Sequence, residues 1–521
     1  MSATHTSAVR LVAPARVRHL ASLVTATSGE VAETISPLDG SPLASIPQST
    51  AVDVDAAFAR ARRAQPGWAG LGPSGSGRRL LEFHDLLLAE QAHLVDLIVT
   101  ETGKTRRDAT DEVFHAAMTA RYYGVHAARF LRPHRRPGVI PGLTRVDVHH
   151  RPKGVVGVIS PWNYPLTMGF SDGIAALAAG NTVVAKPDAQ TMLTALAALE
   201  LLRRAGVPDD VWQVVAGPGA EVGTALVERA DHIAFTGSTT TGRRVAARAG
   251  ERLIGASLEL GGKNAMVVLD DADLDAAVEG AIRGCFGNAG QLCVSFERLY
   301  VARPVYAAFR ARFVDAVRSL DLTAGLDWAS DIGTLTSAAQ LEKVSAHVED
   351  ARAHGATVLV GGEARPDLAP FSYAPTVLEG VTPAMELFRD ETFGPVVALY
   401  PFDTDDEAVD LANDSAFGLN ASVWSRNHCR GRSVAARIRA GSVNVNEAIA
   451  ASFGSLAAPM GGFKDSGLGR RQGPEGLLRF TETQSVVTQR GLSLSTPEGV
   501  ARERYAELKT SALRVMRALR L

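Results

Sequence analysis

Between residues 50 and 128, apolar residues recur at three-, four- and seven-residue spacings: Val52, Ala56 and Ala59, then Leu80, Leu81, Leu87 and Leu88, then Leu94, Leu97 and Ile98. That period gathers them on one side of successive helices and predicts an amphipathic helical layer. The Pro-, Arg- and His-rich piece 132–141 breaks it, and 144–150 then alternates as a hairpin strand does. From residue 154 the pattern changes to short apolar runs, at 154–159, 181–185, 211–216 and 232–235, separated by helical stretches. Strands buried on both faces read as unbroken apolar runs, so this alternation predicts a doubly wound parallel α/β sheet. Ligands of such sheets lie beyond the carboxyl ends of the strands. The loops there are 160–165, 186–191 and 236–242, all polar and turn-like.

A second α/β set starts near Lys263. Residues 264–269 read as a strand, Asp271 as an N-cap and 274–285 as a helix leading into Gly287-Asn288-Ala289-Gly290-Gln291-Leu292-Cys293. Strand and helix patterns continue at 298–320, 355–360, 395–400 and 421–424. The dinucleotide fingerprint G-x-G-x-x-G follows no predicted strand; 217–223 comes near it with one residue too many and reads as a turn and helix start. The loop 237–242 is the better phosphate candidate, because it opens a helix whose free N–H groups attract an anion. In the tail 498–521, Tyr505, Leu508, Ala512, Met516 and Leu519 share one side, ringed by Arg502, Lys509, Arg514, Arg517 and Arg520. Such a basic amphipathic helix suits packing on its own protein or on a neighbouring subunit better than lying on a membrane.

A chain of 521 residues exceeds one core and implies two or three domains. With 54 basic and 56 acidic residues the net charge is −2, which sets up no field toward nucleic acid or anionic lipid. Small ligands are the expected partners. Cys285, Cys293 and Cys429 form no C-x-x-C pair, and His149-His150 has no second ligand pair at a useful spacing, so neither a disulfide framework nor a metal site is expected. Thiols of this kind suit a reducing cytoplasm. No run of 18 apolar residues is present to span a membrane. Residues 1–29 carry Arg10, Arg16 and Arg18 and no acid, the bias of a transit peptide, but lack its amphipathic block.

Cys293 ends a short polar loop interrupted by glycines, where backbone N–H groups can crowd a sulfur. A cysteine taken alone is more often a small buried hydrophobe than a nucleophile. Other motifs change that reading. Pro161-Trp162-Asn163-Tyr164-Pro165, Phe235-Thr236-Gly237-Ser238, Leu258-Glu259-Leu260-Gly261-Gly262-Lys263, Gly290-Gln291-Leu292-Cys293, Glu391-Thr392-Phe393-Gly394-Pro395 and Pro459-Met460-Gly461-Gly462-Phe463-Lys464 occur in this order. By these motifs, from about residue 31 to 489, the chain resembles the aldehyde dehydrogenase superfamily, in its non-acylating branch. Its overall similarity, notably over 154–190 and 458–478, is to actinobacterial NADP-dependent succinate-semialdehyde dehydrogenases.

The resemblance implies an α/β fold of three parts. Residues 30–131 and 151–262 would form a doubly wound parallel-sheet cofactor domain, and 263–462 an α/β catalytic domain. A small β oligomerisation element would use 132–150 and 478–490, with a tail at 491–521, in a homodimer or homotetramer. It implies Cys293 as the nucleophile, Asn163 with the Cys293 backbone N–H as oxyanion donors, and Glu259 as the general base that activates water. Glu259 separates this branch from acylating relatives, which pass the acyl group to coenzyme A. For the cofactor, NADP or NAD, the resemblance implies Pro161, Trp162, Lys186, Ala189, Gly237, Ser238, Glu391 and Phe393. NAD-restricted relatives often carry a glutamate three residues after the lysine; Ala189 stands there, so NADP⁺ is the expected choice.

The substrate is the open point. Relatives acting on succinic semialdehyde hold its carboxylate with two arginines, at positions occupied here by Gly287 and Ser171. Arg298, Ser295, Ser452 and Ser455 are the replacement candidates, and Phe170, Phe296 and Phe453 the expected edges of a pocket. Without a cationic anchor, uncharged aliphatic or aromatic aldehydes are the alternative. A catalytically idle ligand-binding relative and a thiol esterase are the alternatives from other classes.

Overall fold

The computed structural model describes residues 12–139, 143–449, 454–491 and 495–518. The helical layer is built from Ala51–Gly70, Gly72–Ala89, Gln91–Thr102 and Arg106–Phe130. Thr50 starts it through a capping box with Asp53, and Gly103 at φ 75° ends the third helix. The buried stripe of the first helix is Val54, Ala57, Phe58 and Ala61, two residues along from the expected one, and Val52 is exposed. Alanine runs caused this slip, because several frames share nearly the same apolar content.

That stripe packs on Val155, Val184, Ile233 and Leu258 of a six-stranded sheet. Its order is Gly467–Leu468, Gly255–Glu259, His232–Thr236, Val155–Ile159, Thr182–Lys186 and Trp212–Val214, parallel except for the first strand. Pro165–Ala178, buried throughout, and Met192–Arg204 also pack in this region, and Trp68 Nε1 reaches the Leu177 carbonyl at 2.9 Å. After Val155–Ile159 the chain winds one way, and after His232–Thr236 the other. The switch point therefore lies between the loops that leave these two strands.

A second sheet of seven strands has the order Thr357–Val360, Thr376–Glu379, Val396–Phe402, Phe296–Ala302, Asn264–Val268, Asn420–Trp424 and Ser442–Val445, with only the first antiparallel. Helix Leu274–Phe286 links Asn264–Val268 to Phe296–Ala302. Asp273, not Asp271, caps it; Asp271 instead accepts hydrogen bonds from Ser425 and the Asn427 N–H. Two pocket-edge expectations end in the core: Phe170 stacks on Trp212 at 4.6 Å, and Phe296 is fully buried beside Gly284.

A separate compact unit takes Leu131–Arg151 and the chain from Glu482 onward. Its sheet has the order Thr481–Gln489, Thr144–Pro152 and His134–Arg136, and Val486 and Val487 are exposed. The basic tail forms helix Arg502–Ala518, which has no buried residue; Leu519 and Arg520 lie outside the described residues. Among the described residues no helix is long and apolar enough to cross a membrane.

Phe296→Ala, a core truncation, should lower the unfolding free energy by about 3–5 kcal/mol, read from denaturant titration with an unchanged slope.

Candidate active site

Glu259 is the last residue of its strand, in register with Thr236 on one side and Gly467 on the other. It is 4% exposed, and neither carboxylate oxygen has a hydrogen-bond partner among the described residues. Burial raises its pKa to about 7, against the opposing pull of Arg471 and Arg479. The chain then crosses through Leu260–Lys263 to the first residue of the second sheet, Asn264. One sheet thus ends where the other begins, and Glu259 sits at the crossing.

Helix Leu274–Phe286 brings the chain back to the same edge. There Asn288, Ala289 and Gly290 take positive φ of 51°, 52° and 71° in succession, two of them without being glycine. Such strain persists only where surroundings enforce it. Gly290 is pressed on the Gly394 carbonyl, where a Cβ would collide. Gln291 ties the loop down, its Nε2 donating to the Asn288 and Thr334 carbonyls and its Oε1 accepting from the Thr336 N–H. Asn264 Nδ2 donates to the Cys293 and Ser295 carbonyls at 2.7 Å each. Cys293 is partly buried, and burial with the charges of Glu391 and Glu259 pushes its thiol to about 12.

Asn163 approaches from the first sheet, its Nδ2 donating to the Gln291 carbonyl at 2.9 Å. Its own carbonyl accepts from Lys104 Nζ at 2.7 Å and from Asn288 Nδ2 at 3.2 Å. Lys104 also pairs with Glu112 at 2.8 Å and lies 3.6 Å from the Tyr164 ring centroid. Glu112 in turn accepts from the N–H groups of Leu166 and Thr167, the first turn of the next helix. Neither Lys104 nor Glu112 stood out in the sequence. For Glu112 the signal that could have found it is a charge on the buried side of helix Arg106–Phe130, beside Ala109, Val113 and Ala116; Lys104 lies in the turn before that helix, where no periodicity marks it.

The expected cofactor residues gather around the switch point. Gly237 N–H donates to the Glu259 carbonyl at 3.1 Å, and Ser238 caps helix Thr239–Glu251. Lys186 ends the neighbouring strand and is buried; its pKa is lowered by burial, with Asp188 opposing. Ala189 begins a single turn whose second N–H, from Gln190, is taken by Asp188 Oδ1 at 3.0 Å. Pro161 and Trp162 are partly buried, and Trp162 stands edge-on to Phe393 with ring centroids 5.6 Å apart. Phe393 has φ 58°, and its N–H and that of Thr392 donate to Glu297, itself paired with Lys263. Glu391, raised to about 7 chiefly by burial, accepts the Gly262 N–H at 2.8 Å. A helix N-terminus, a buried lysine and an aromatic pair at one switch point fit a dinucleotide.

A family model described as the aldehyde dehydrogenase family matches residues 23–486. The chain belongs to the aldehyde dehydrogenase family. Over 480 residues it is 50% identical to a Mycolicibacterium smegmatis protein named "Putative succinate-semialdehyde dehydrogenase (NADP(+))", covering 92% of this chain and 93% of that one. Among solved structures, an NAD-dependent aldehyde dehydrogenase from Sinorhizobium meliloti superposes with a TM-score of 0.86 at 37% identity, covering 92% of this chain and 94% of that one. An E. coli NADP dependent enzyme gives 0.86 at 35%, covering 90% and 97%.

In this aldehyde dehydrogenase a cavity of about 850 Å³ has Tyr164 and Leu292, the neighbours of Asn163 and Cys293, in its wall. Apolar surface comes from Phe114, Met118, Phe286 and Ile449. None of the described anchor candidates is among the cavity's lining residues. Arg298 is buried and spends its guanidinium on the carbonyls of Lys263, Leu411, Ala412 and Asp414. Ser295 donates to the Gly284 and Cys285 carbonyls, Ser171 is buried within its helix and Ser455 is exposed. Ser452 and Phe453 lie outside the described residues. The cavity's own cations are Arg107 and Arg283, set among the carboxylates of Asp108, Asp111, Glu279 and Glu447; Arg283 pairs with Glu447.

Lys104→Met should cost about 3–5 kcal/mol of stability, because it leaves Glu112 as an uncompensated buried charge. The double variant Lys104→Met, Glu112→Leu should recover part of that loss in the same denaturation experiment.

Proposed function

We propose that this chain oxidises succinic semialdehyde to succinate with NADP⁺ through a covalent Cys293 intermediate. The observation that carries the mechanism is the meeting of a buried, unbonded Glu259 with the strained Cys293 loop at the crossing of the two sheets. In the reading we favour, the Cys293 sulfur adds to the aldehyde carbon and the carbonyl oxygen becomes an oxyanion. A thiol held near 12 supplies little thiolate, so its proton must leave as the C–S bond forms, and Glu259 is a base within the same dry site. Asn163 Nδ2 carries two protons; one serves the Gln291 carbonyl and the other, with the Cys293 N–H, serves the oxyanion. The nicotinamide cofactor, when bound, accepts hydride from the reacting carbon. Glu259, once it has passed the thiol proton to solvent, takes a proton from the water that attacks the resulting thioester and returns it to the leaving sulfur, releasing the acid and the Cys293 thiol.

For the cofactor, Gly237, Ser238, Lys186, Pro161, Trp162, Glu391 and Phe393 are the residues we assign to binding. Ala189 puts no carboxylate where NAD-restricted relatives often carry one, which supports NADP⁺, while the Asp188 carboxylate accepts the Gln190 N–H and still acts on Lys186. Residues 30–131 with 151–262 are proposed as the cofactor domain and 263–462 as the catalytic domain. The strands of 132–150 and 478–490 are proposed to build a homo-oligomer in a reducing cytoplasm. The relative named for succinic semialdehyde supports that substrate. The cavity supports a second reading, since its cations are outnumbered by carboxylates, which favours uncharged aliphatic or aromatic aldehydes.

Initial rates of reduced-nicotinamide formation with succinic semialdehyde, hexanal and benzaldehyde, each with NAD⁺ and NADP⁺, decide between these readings. The expected result is the highest kcat/KM for succinic semialdehyde with NADP⁺ and no activity in Cys293→Ala; higher values for the uncharged aldehydes would withdraw the substrate. Because only ionised Glu259 acts as a base, kcat should fall about tenfold per pH unit below pH ~7 when hydrolysis limits the rate. That limb should vanish in Glu259→Gln.

A further inference from the structure

Helix Pro165–Ala178 carries a single charge, Asp172, in an otherwise uncharged and fully buried run. Two guanidinia share it. Arg471 donates through Nε at 2.9 Å and Nη2 at 2.7 Å, and Arg479 adds a third short bond. Burial alone would raise this carboxyl, yet the two arginines hold it at about 2. Two fixed cations on one anion leave one positive charge uncompensated where water cannot screen it.

That charge faces the reacting groups. Arg471 Nη2 also donates to Thr236 Oγ1 at 2.8 Å, and Thr236 is the strand partner of Glu259. The Arg471 backbone exchanges two hydrogen bonds with Met460, next to Gly461, whose Cβ position lies 3.2 Å from Glu259 Oε1. Its remaining nitrogen, Nη1, donates among the described residues to the thioether of Met168, a weak acceptor. The charges acting on Glu259 are Arg471, Arg479 and Arg470, opposed by Asp172. Those acting on Cys293 are Glu391 and Glu259, opposed by Arg471. His115 and His232, packed against the cluster from the helical layer and the sheet, are pushed by burial to about 4 and about 3 and stay neutral.

We infer that Arg471, locked in place by Asp172, is a positioning residue whose fixed positive charge stabilises the anionic forms of both Glu259 and Cys293. The inference rests on Glu259 acting as the base. It explains how a carboxylate with no hydrogen-bond donor among the described residues ionises inside a buried crossing, and why a lone anion sits in a fully buried helix that is otherwise uncharged.

The test uses two readouts on wild type, Arg471→Met, Arg471→Lys, Asp172→Asn and Glu259→Gln. One is the pH profile of kcat; the other is the rate of Cys293 alkylation by iodoacetamide at pH 8, followed on the Cys293 peptide by mass spectrometry. Removing the cation in Arg471→Met should move the acid limb of kcat to higher pH by about one unit or more and slow alkylation at least about tenfold, since one pKa unit is tenfold in the ionised fraction. Arg471→Lys should restore most of both. Removing the anion in Asp172→Asn should move both readouts the opposite way, a sign that mere loosening of the fold does not produce. Shifts of one sign in both variants, or none in variants that keep the wild-type Tm, overturn the inference. Should Arg471→Met fail to fold, an unchanged or upward limb in Asp172→Asn overturns it. A limb that survives Glu259→Gln would refute the base assignment instead, and alkylation would still judge Arg471.

Discussion

Buried charge is the constraint on which this site depends. Lys104, Glu112, Lys263, Glu297, Asp172, Arg471 and Glu259 are each at most 4% exposed. An ion removed from water is tolerable only with partners in good geometry, so each buried pair dictates the backbone around it. Lys104 and Glu112 clamp the Asn163 carbonyl and the first turn of the helix that follows. Lys263 and Glu297 hold the N–H groups of Thr392 and Phe393 and thereby the strained Phe393 backbone. Glu259 differs from the rest, its carboxylate having no hydrogen-bond partner among the described residues. Its ionisation rests on the field of the cluster around Asp172.

Two sheets meet so that this charge can be concentrated. Glu259 closes a strand of one and Asn264 opens a strand of the other, with four residues between them. The switch point of the first sheet lies on the same side, so the residues assigned to the cofactor and those assigned to the chemistry share one crossing. The cysteine loop reaches it from the amino ends of the second sheet's strands, the reverse of the usual placement at carboxyl ends. Three left-handed residues in succession turn the chain sharply enough to present Cys293 there. Gly290 and Gly394 permit the loops to touch where a side chain would part them.

Much of this was legible in the chain itself. Unbroken apolar runs announced parallel strands, the ordered motifs led to the family, and Cys293, Glu259 and Asn163 were marked by the company their neighbours keep along the sequence. Such signals are local, carried by residues within a few positions of one another. Only the tertiary structure decided what distant residues do to each other. Arg298 looked available for a substrate and is consumed by four carbonyls; Phe170 and Phe296 looked like pocket walls and are core. Lys104, Glu112, Asp172 and Arg471 looked like ordinary charges until folding brought Arg471 to Asp172 across almost three hundred residues. Periodicity tells which face of an element is buried, but the partner of a buried charge is chosen by chain crossing, and no spacing along the sequence encodes that.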